Sequence, residues 1–171
     1  EPYQITDGLS EVSEPVFDAS GKYLYFFGST DAGPVKQWFD MSNADMRLTR
    51  NLYLAVLRKD LPSPLAKESD EEKGIQKEEK PKEAKAPAAE PFSIDFEGLQ
   101  NRILALPLPS GEYSDLQAGA SGQIYFLEAG PRARESGPGE GGGGRSLHHF
   151  DLSKRKDETI LTGVGGGYQL S

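Results

Sequence analysis

The sequence contains no cysteine among its 171 residues, so disulfide bonds and thiolate chemistry are excluded. Only 36% of the residues are hydrophobic, against 20 glycines and 12 prolines, which leaves little material for a large core. No apolar run approaches the roughly 18 residues that a membrane-spanning helix needs. The formal net charge of −8 opposes contact with phosphate backbones. We therefore expect no nucleic-acid partner and no membrane association.

A tight turn followed by an aromatic strand occurs twice in the chain. Asp18 can accept backbone N–H bonds within the first turn, and Gly21 and Gly122 can take the positive φ that closes each hairpin. A partial third copy begins at residues 167–171. Repetition of one hairpin predicts a repeat architecture, and a repeat that stops within a unit indicates a piece of a larger protein. The two copies are residues 18–22 with 24–27, and residues 120–123 with 124–127.

Each hairpin is followed by an insertion and then by two further predicted strands. Four antiparallel strands per repeat is the composition of a propeller blade. The sequence therefore predicts an all-β fold: a partial β-propeller of about two four-stranded antiparallel blades plus the start of a third. The predicted strands are 14–18, 23–28, 51–57 and 61–65 in the first copy, and 113–117, 123–128, 147–152 and 158–161 in the second.

Three insertions interrupt the predicted blades. Residues 29–50 and 130–145 lie between the second and third strands of the first and second copies, respectively. Residues 67–91 combine many charges with no aromatic residue, so they bury too little apolar area to offset the entropy of ordering and are expected to be disordered. This predicts a first blade at 1–66, a disordered insert at 67–91 and a second blade at 92–171 that leads into the next.

No cofactor or metal site is predicted. Residues 139–146 match a phosphate-binding loop except that Arg145 replaces the required lysine, and a Gly/Arg/Pro stretch precedes them in place of a buried strand. His148 and His149 are neighbours on a predicted strand and would point to opposite faces, which argues against a shared metal ion. The oxygen-bearing Asp40, Asn43 and Asp45 lack the spacing and glycine of an EF-hand.

The insertion at 29–50 is the best candidate for contact with a substrate. Trp38 and Phe39 provide aromatic surface, and Arg47 and Arg50 provide guanidinium groups that suit planar anions such as a peptide carboxylate. The alternative is that the insertion packs against a neighbouring blade or subunit. No catalytic residue is predicted within the chain.

The repeated sequence resembles that of a known family. Residues 17–26 resemble the WD40-like (PD40) propeller repeat, and the longer text resembles the propeller region of bacterial tricorn-like serine peptidases of the S41 type. The segments that carry this likeness are 5–10, 38–42, 52–60 and 94–99.

The resemblance implies a propeller that gates or guides unfolded peptides, with a PDZ-like module and a serine nucleophile outside these 171 residues. The implied partners are unfolded peptides, the remaining blades and catalytic domain of the parent chain, and further copies in a homo-oligomer. A free-standing propeller that acts as a protein-binding scaffold is the alternative. The resemblance permits either a cytoplasmic or an exported, periplasmic location, since the segment starting at Glu1 has no targeting pattern.

Overall fold

The computed structural model describes residues 2–6, 8–29, 49–66, 92–130 and 144–170. These residues form two four-stranded antiparallel sheets, each with its strands in chain order. No helix in the described ranges is long and apolar enough to cross a membrane. The first sheet contains β1 (Glu11–Phe17), β2 (Tyr23–Ser29), β3 (Asn51–Val56) and β4 (Ile103–Ala105), and the second contains β5 (Tyr113–Ala118), β6 (Gln123–Ala129), β7 (Arg145–Asp151) and β8 (Lys156–Val164).

The two sheets share their strand register, which confirms the repeat. In the first hairpin a bulge in β1 faces Phe26, and in the second a bulge in β5 faces Phe126. The bulges contain Glu14 (φ 53°) and Asp115 (φ 56°), a left-handed backbone that non-glycine residues rarely adopt. Each bulge adds one residue at the same place in the first strand of its sheet. Residues at equivalent positions in the two sheets therefore lie on equivalent faces.

The predicted insertions fall at the same place in both sheets. β2 ends at Ser29 and β3 begins at Asn51, while β6 ends at Ala129 and β7 begins at Arg145. Most of both insertions, and the whole of 67–91, lies outside the described residues, so the predicted disorder of 67–91 remains a prediction. The two insertions leave their sheets at the same end, because they follow equivalent strands.

The predicted fourth strand of the first blade, at 61–65, is wrong. β4 supplies the fourth strand instead, pairing Leu104 with Leu54 of β3. Pro62 and Pro64 carry no backbone N–H, so this segment cannot provide a regular ladder. Leu61 and Leu65 contribute by packing their side chains against the core.

The predicted start of the second blade at residue 92 also needs correction. Residues 103–105 lie in the first sheet, and the second sheet begins at Tyr113. The apolar run at residues 102–108, whose sequence also favours a strand, forms one only over β4, because Pro107 and Pro109 prevent it from extending. Residues 92–102 therefore close the first blade, and Arg102 fixes them by donating from Nε to the carbonyl of Val56 at 3.0 Å.

The main core lies in the seam between the two sheets. Phe27 of β2 stacks on Tyr113 with ring centroids 5.8 Å apart, and meets Phe126 edge-on at 6.4 Å. Tyr113 and Phe126 contact each other edge-on at 5.1 Å. Aliphatic side chains of both sheets surround these rings, so each sheet supplies half of one apolar layer.

A second apolar layer covers the opposite, outer face of the first sheet. Leu24 and Phe26 of β2 lie there with Ala55, Leu57 and Leu99, and all five are buried. Residues of β2 are thus buried on both faces, which identifies it as an interior strand of a layered array. The outer layer is built without a second sheet in the described residues.

The predicted start of a third blade remains a prediction, because residues 165–170 contain no strand. This segment nevertheless lies against β5. The Tyr168 hydroxyl donates to the carbonyl of Asp115 at 2.7 Å, and Gln117 Nε2 donates to the carbonyl of Tyr168 at 2.8 Å. Burial raises the pKa of Tyr168, and the nearby Asp115 carboxylate adds to this shift.

Replacing Phe126 by alanine is expected to destabilise both sheets together. The side chain is 1% exposed and touches aromatic rings of both sheets, so its loss leaves a cavity in the shared core. We expect a loss of about 3–5 kcal/mol in the free energy of unfolding, measured by urea denaturation with far-UV circular dichroism. Ile160→Ala, at a 53% exposed position, is the matched control and should change little. Equal effects of the two variants would contradict a shared core.

Candidate functional site

Arg50 is the one predicted substrate-contact residue that falls within the described ranges, and it lies in the seam. Its backbone pairs with Gly111, with N···O distances of 2.8 and 3.0 Å. Its guanidinium Nη1 donates to the carbonyl of Tyr113 at 2.9 Å. Its Nε is buried and has no hydrogen-bond partner among the residues that the structure describes. Arg50 therefore ties the two sheets together at the end where the insertions leave.

The other predicted contact residues, Trp38, Phe39 and Arg47, lie outside the described residues. The structure therefore does not test whether they join Arg50 in one site. Their sequence positions place them in the connection between Ser29 and Arg50.

The predicted turn residue Asp18 has a larger role than closing its own hairpin. Its carboxylate is 3% exposed and accepts the backbone N–H of Ser20 at 2.8 Å and the Ser20 hydroxyl. Its other oxygen accepts the backbone N–H of Gly122 at 2.7 Å, in the turn of the second sheet. The Asp18 carboxylate thus joins the two repeated turns across the seam.

Tyr25 also contacts the Asp18 carboxylate. Its hydroxyl donates to Asp18 Oδ1 at 3.4 Å, a long hydrogen bond. Burial raises the pKa of Tyr25, and the negative charge of Asp18 raises it further. Burial and the Asp18 charge also raise the pKa of Tyr23. Both phenols therefore stay neutral at physiological pH beside a buried carboxylate.

The predicted turn glycines adopt the expected conformation. Gly21 has φ 69° and Gly122 has φ 75°, both in the left-handed region. A Cβ at Gly21 would lie 3.1 Å from the ring of Phe92, so the position favours glycine for its size as well. Both glycines were predicted correctly from the turn sequence.

A histidine flanked by two carboxylates lies on the seam face of the second sheet. His148 Nδ1 is 2.8 Å from Asp157 Oδ2, and its Nε2 is 3.3 Å from Glu128 Oε2. The ring is stacked on Phe126 with centroids 5.3 Å apart. The sequence did not reveal this group, because its members come from three strands and meet only through the register of β6, β7 and β8.

The His148 imidazole has a carboxylate partner, as the histidine of a catalytic triad does, but no hydroxyl nucleophile beside it in the described residues. Both of its nitrogens face carboxylates, so neither is directed at a hydroxyl in the described part of the chain. His149 points to the opposite face and stacks on Tyr125 at 4.7 Å. Among the residues that the structure describes, no group of three side chains has the arrangement of a metal site.

Comparison with known proteins indicates what the two sheets resemble. No family model matches the chain. Over 167 residues it is 27% identical to the candidate tricorn protease homolog 2 of Streptomyces coelicolor, covering 92% of this chain and 14% of that protein. The crystal structure of the tricorn protease matches 90% of this chain with a TM-score of 0.51 and 16% identity, over 13% of its own length. The fold is that of a partial β-propeller, and the chain is similar to a small part of tricorn-type proteins.

Asp18→Asn is expected to weaken the joint between the repeated turns. An amide offers one acceptor oxygen, so it cannot serve both Ser20 and the Gly122 N–H, and its NH₂ group would face a donor. We expect a loss of about 1–3 kcal/mol in the free energy of unfolding, measured by urea denaturation. Asp60→Asn, at an exposed ion pair with Arg58, is the control and should have little effect. A neutral Asp18→Asn would show that the turns hold together without the carboxylate.

Stability is expected to fall in base because of Tyr25. Its pKa is raised in the folded state, so above its ordinary value near 10 the unfolded chain loses this proton while the folded chain retains it. The contribution is complete below about pH 10 and is lost as the pH rises further. Melting temperatures measured between pH 9 and 11.5 should fall less steeply for Tyr25→Phe than for the wild type. Tyr3→Phe, at a 49% exposed position, should follow the wild type; a Tyr25→Phe curve that did the same would exclude this origin.

Proposed function

We propose that this chain is a non-catalytic β-propeller segment of a tricorn-like serine protease, of the S41 peptidase type with PD40 repeats. In this proposal the segment guides unfolded peptides toward a catalytic domain that lies outside the 171 residues. The observation that supports it most is the head-to-tail repetition of two equivalent sheets in a chain that is similar to a tricorn homolog over 92% of its length.

The peptide-contacting region would lie at the end of the seam where the insertions emerge. Arg50 anchors this end to Gly111 and Tyr113. Trp38, Phe39 and Arg47 would add aromatic surface and positive charge to the same connection. Such a surface suits an extended chain with exposed side chains and a terminal carboxylate better than a folded protein.

The segment itself would carry no proteolytic chemistry. His148 is held between Asp157 and Glu128 and is 8% exposed, so it is neither accessible nor directed at a nucleophile in the described residues. Its stacking on Phe126 is consistent with a role in packing the seam. The partners of the segment are therefore the remaining blades and catalytic domain of the parent, its unfolded substrates, and other copies in a homo-oligomer.

The alternative is a propeller scaffold without peptidase activity, and one kinetic experiment separates the two. The complete gene product that contains this segment would be purified, and its hydrolysis of an extended fluorogenic peptide measured. We expect hydrolysis, and for Trp38→Ala with Arg47→Ala a KM increase of several-fold with kcat unchanged, because these residues would bind the peptide away from the reacting atoms.

Lys59→Ala is the control, since Lys59 forms an exposed ion pair with Glu97 on the first sheet. It should leave both constants unchanged. A gene product that binds the peptide without hydrolysing it would favour the scaffold. Hydrolysis with an unchanged KM in the double variant would overturn the guiding role of the insertion and leave the protease assignment standing.

A further inference from the structure

The two ring nitrogens of His148 each face a carboxylate from a neighbouring strand. Nδ1 lies 2.8 Å from Asp157 Oδ2 of β8, and Nε2 lies 3.3 Å from Glu128 Oε2 of β6. The imidazole is 10% exposed. We propose that His148 carries both ring protons in the folded chain, and that this charge acts as a pH-sensitive clasp that fastens β8 to β6. The clasp goes beyond the proposed function and holds for a protease and a scaffold alike.

Two protons on the ring follow from what a carboxylate can accept. An ionised carboxylate has acceptors only, so an attractive contact needs an N–H on the nitrogen that faces it. A neutral imidazole has a single N–H, and its other nitrogen directs a lone pair outward. With Nδ1 donating to Asp157, that lone pair would lie on Nε2, 3.3 Å from a negative oxygen of Glu128. The doubly protonated ring replaces this repulsion by a second ion pair.

The surroundings of the ring on its own sheet are uncharged apart from these carboxylates. Among the described residues, Glu128 and Asp157 are the charged groups within ion-pair distance of the ring. The ring is stacked on Phe126 with centroids 5.3 Å apart. Its ladder partner on β8 is Thr159, and the next residue on the same face of β7 is Phe150. Apolar neighbours in place of water weaken screening, so the two carboxylates act strongly on the ring.

The first sheet directs its charged side chains at other parts of the second sheet. Glu14 and Asp18 accept backbone N–H groups of β5 and of the turn that follows it. Arg50 donates to the backbone of β5 beside Glu128. The segment 61–66, whose leucines pack against the shared core, contains no charged side chain. Because Arg50 borders the clasp on the β5 side, a change at Glu128 is best interpreted from its pH dependence and not from its absolute effect on stability.

The clasp lies where the ladder between β7 and β8 is irregular. The register shifts between Leu147 and His148, so that Ile160 of β8 is an extra residue. β8 is also the last strand of the second sheet in the described residues, so its ladder contacts are with β7. The His148 ion pairs add a tie across three strands at this point. When the ring loses a proton, the ladder alone holds the edge, and we expect β8 to open more often.

The direction of the pH dependence follows from proton linkage. A histidine in an unfolded chain loses its second proton near pH 6.5. Above about this pH, a chain that keeps the proton on His148 when folded takes one up on folding, so its stability falls as the pH rises. The clasp therefore contributes fully below about pH 6.5, and its contribution is lost at higher pH. For one proton, the unfolding constant rises by up to about tenfold per pH unit.

Urea denaturation of the full 171-residue chain between about pH 6 and 8.5 tests the extra proton. His148→Gln keeps a polar side chain of similar size that does not titrate, and His149→Gln removes the histidine on the opposite face as the control. We expect the unfolding constant of the wild type to rise with pH more steeply than that of His148→Gln, by up to about tenfold per pH unit. His149→Gln should follow the wild type. Parallel curves for the wild type and His148→Gln would overturn the proposal.

Glu128→Gln tests the clasp while the histidine stays in place. The glutamine NH₂ group can donate to the Nε2 lone pair of a neutral ring, so His148 no longer needs its second proton. We expect the pH dependence of this variant to fall to that of His148→Gln. A purely structural role of Glu128 would lower stability by the same factor at every pH, and a slope equal to that of the wild type would contradict the clasp. This variant also provides the test if His148→Gln does not fold.

Hydrogen exchange read by mass spectrometry tests whether the clasp acts on β8. At about pH 6, we expect the amides of residues 156–164 to exchange at least about tenfold faster in His148→Gln than in the wild type, because a charge-assisted hydrogen bond contributes at least this factor. At about pH 8.5 the difference should shrink, and comparing the variants at one pH removes the intrinsic pH effect on exchange. The amides of β2 are the internal control and should exchange alike. Equal exchange of β8 at pH 6 would show that His148 does not fasten this strand.

Discussion

The structure depends on the packing of Phe27 between Tyr113 and Phe126. A four-stranded sheet has two faces to cover, and in the described residues the only helical segment beside the sheets is the 3₁₀ turn Leu99–Arg102. The aromatic seam covers one face of each sheet. Because the contact joins non-equivalent faces, one from each sheet, it leaves an outer face on both sheets, and Leu57 and Leu99 help to bury that of the first.

Polar contacts fix the relative position of the sheets that the aromatic layer holds together. Asp18 accepts the Gly122 N–H at one end of the seam, and Arg50 donates to Tyr113 at the other. Between them the Glu14 carboxylate accepts the N–H of Leu116 at 2.8 Å. Apolar packing is non-directional, so by itself it would let one sheet shift along the other. Three side-chain-to-backbone hydrogen bonds spread along the seam specify a single register.

The parts of the fold that were predictable from the sequence are those set by local contacts. The two hairpins and the sites of insertion follow from turn chemistry and short apolar runs. The pairing of β4 with β3 did not follow, because residues 57–102 intervene between the two strands, while Leu61 and Leu65 offered a closer apolar run. Arg50 was identified for its charge, yet its recorded contacts are with the neighbouring sheet. The His148 group could not be predicted, because its two carboxylates are brought together by the pairing register of β6, β7 and β8, which the sequence does not specify.

The faces of the two sheets and the ends of their strands have different roles. The repeated turns around Asp18 and Gly122 lie at one end of the sheets, and both insertions leave from the other. Contacts that build the array use the faces, where side chains are apolar and the register is fixed. The copies differ at both ends: residues 30–48 and 131–143 differ in length and composition, and the connection after β3 at the turn end, residues 57–102, is far longer than residues 152–155 after β7. A propeller can therefore keep its sheets interchangeable while the connecting loops at either end are altered to meet a particular partner, because loops tolerate change that a packed face does not.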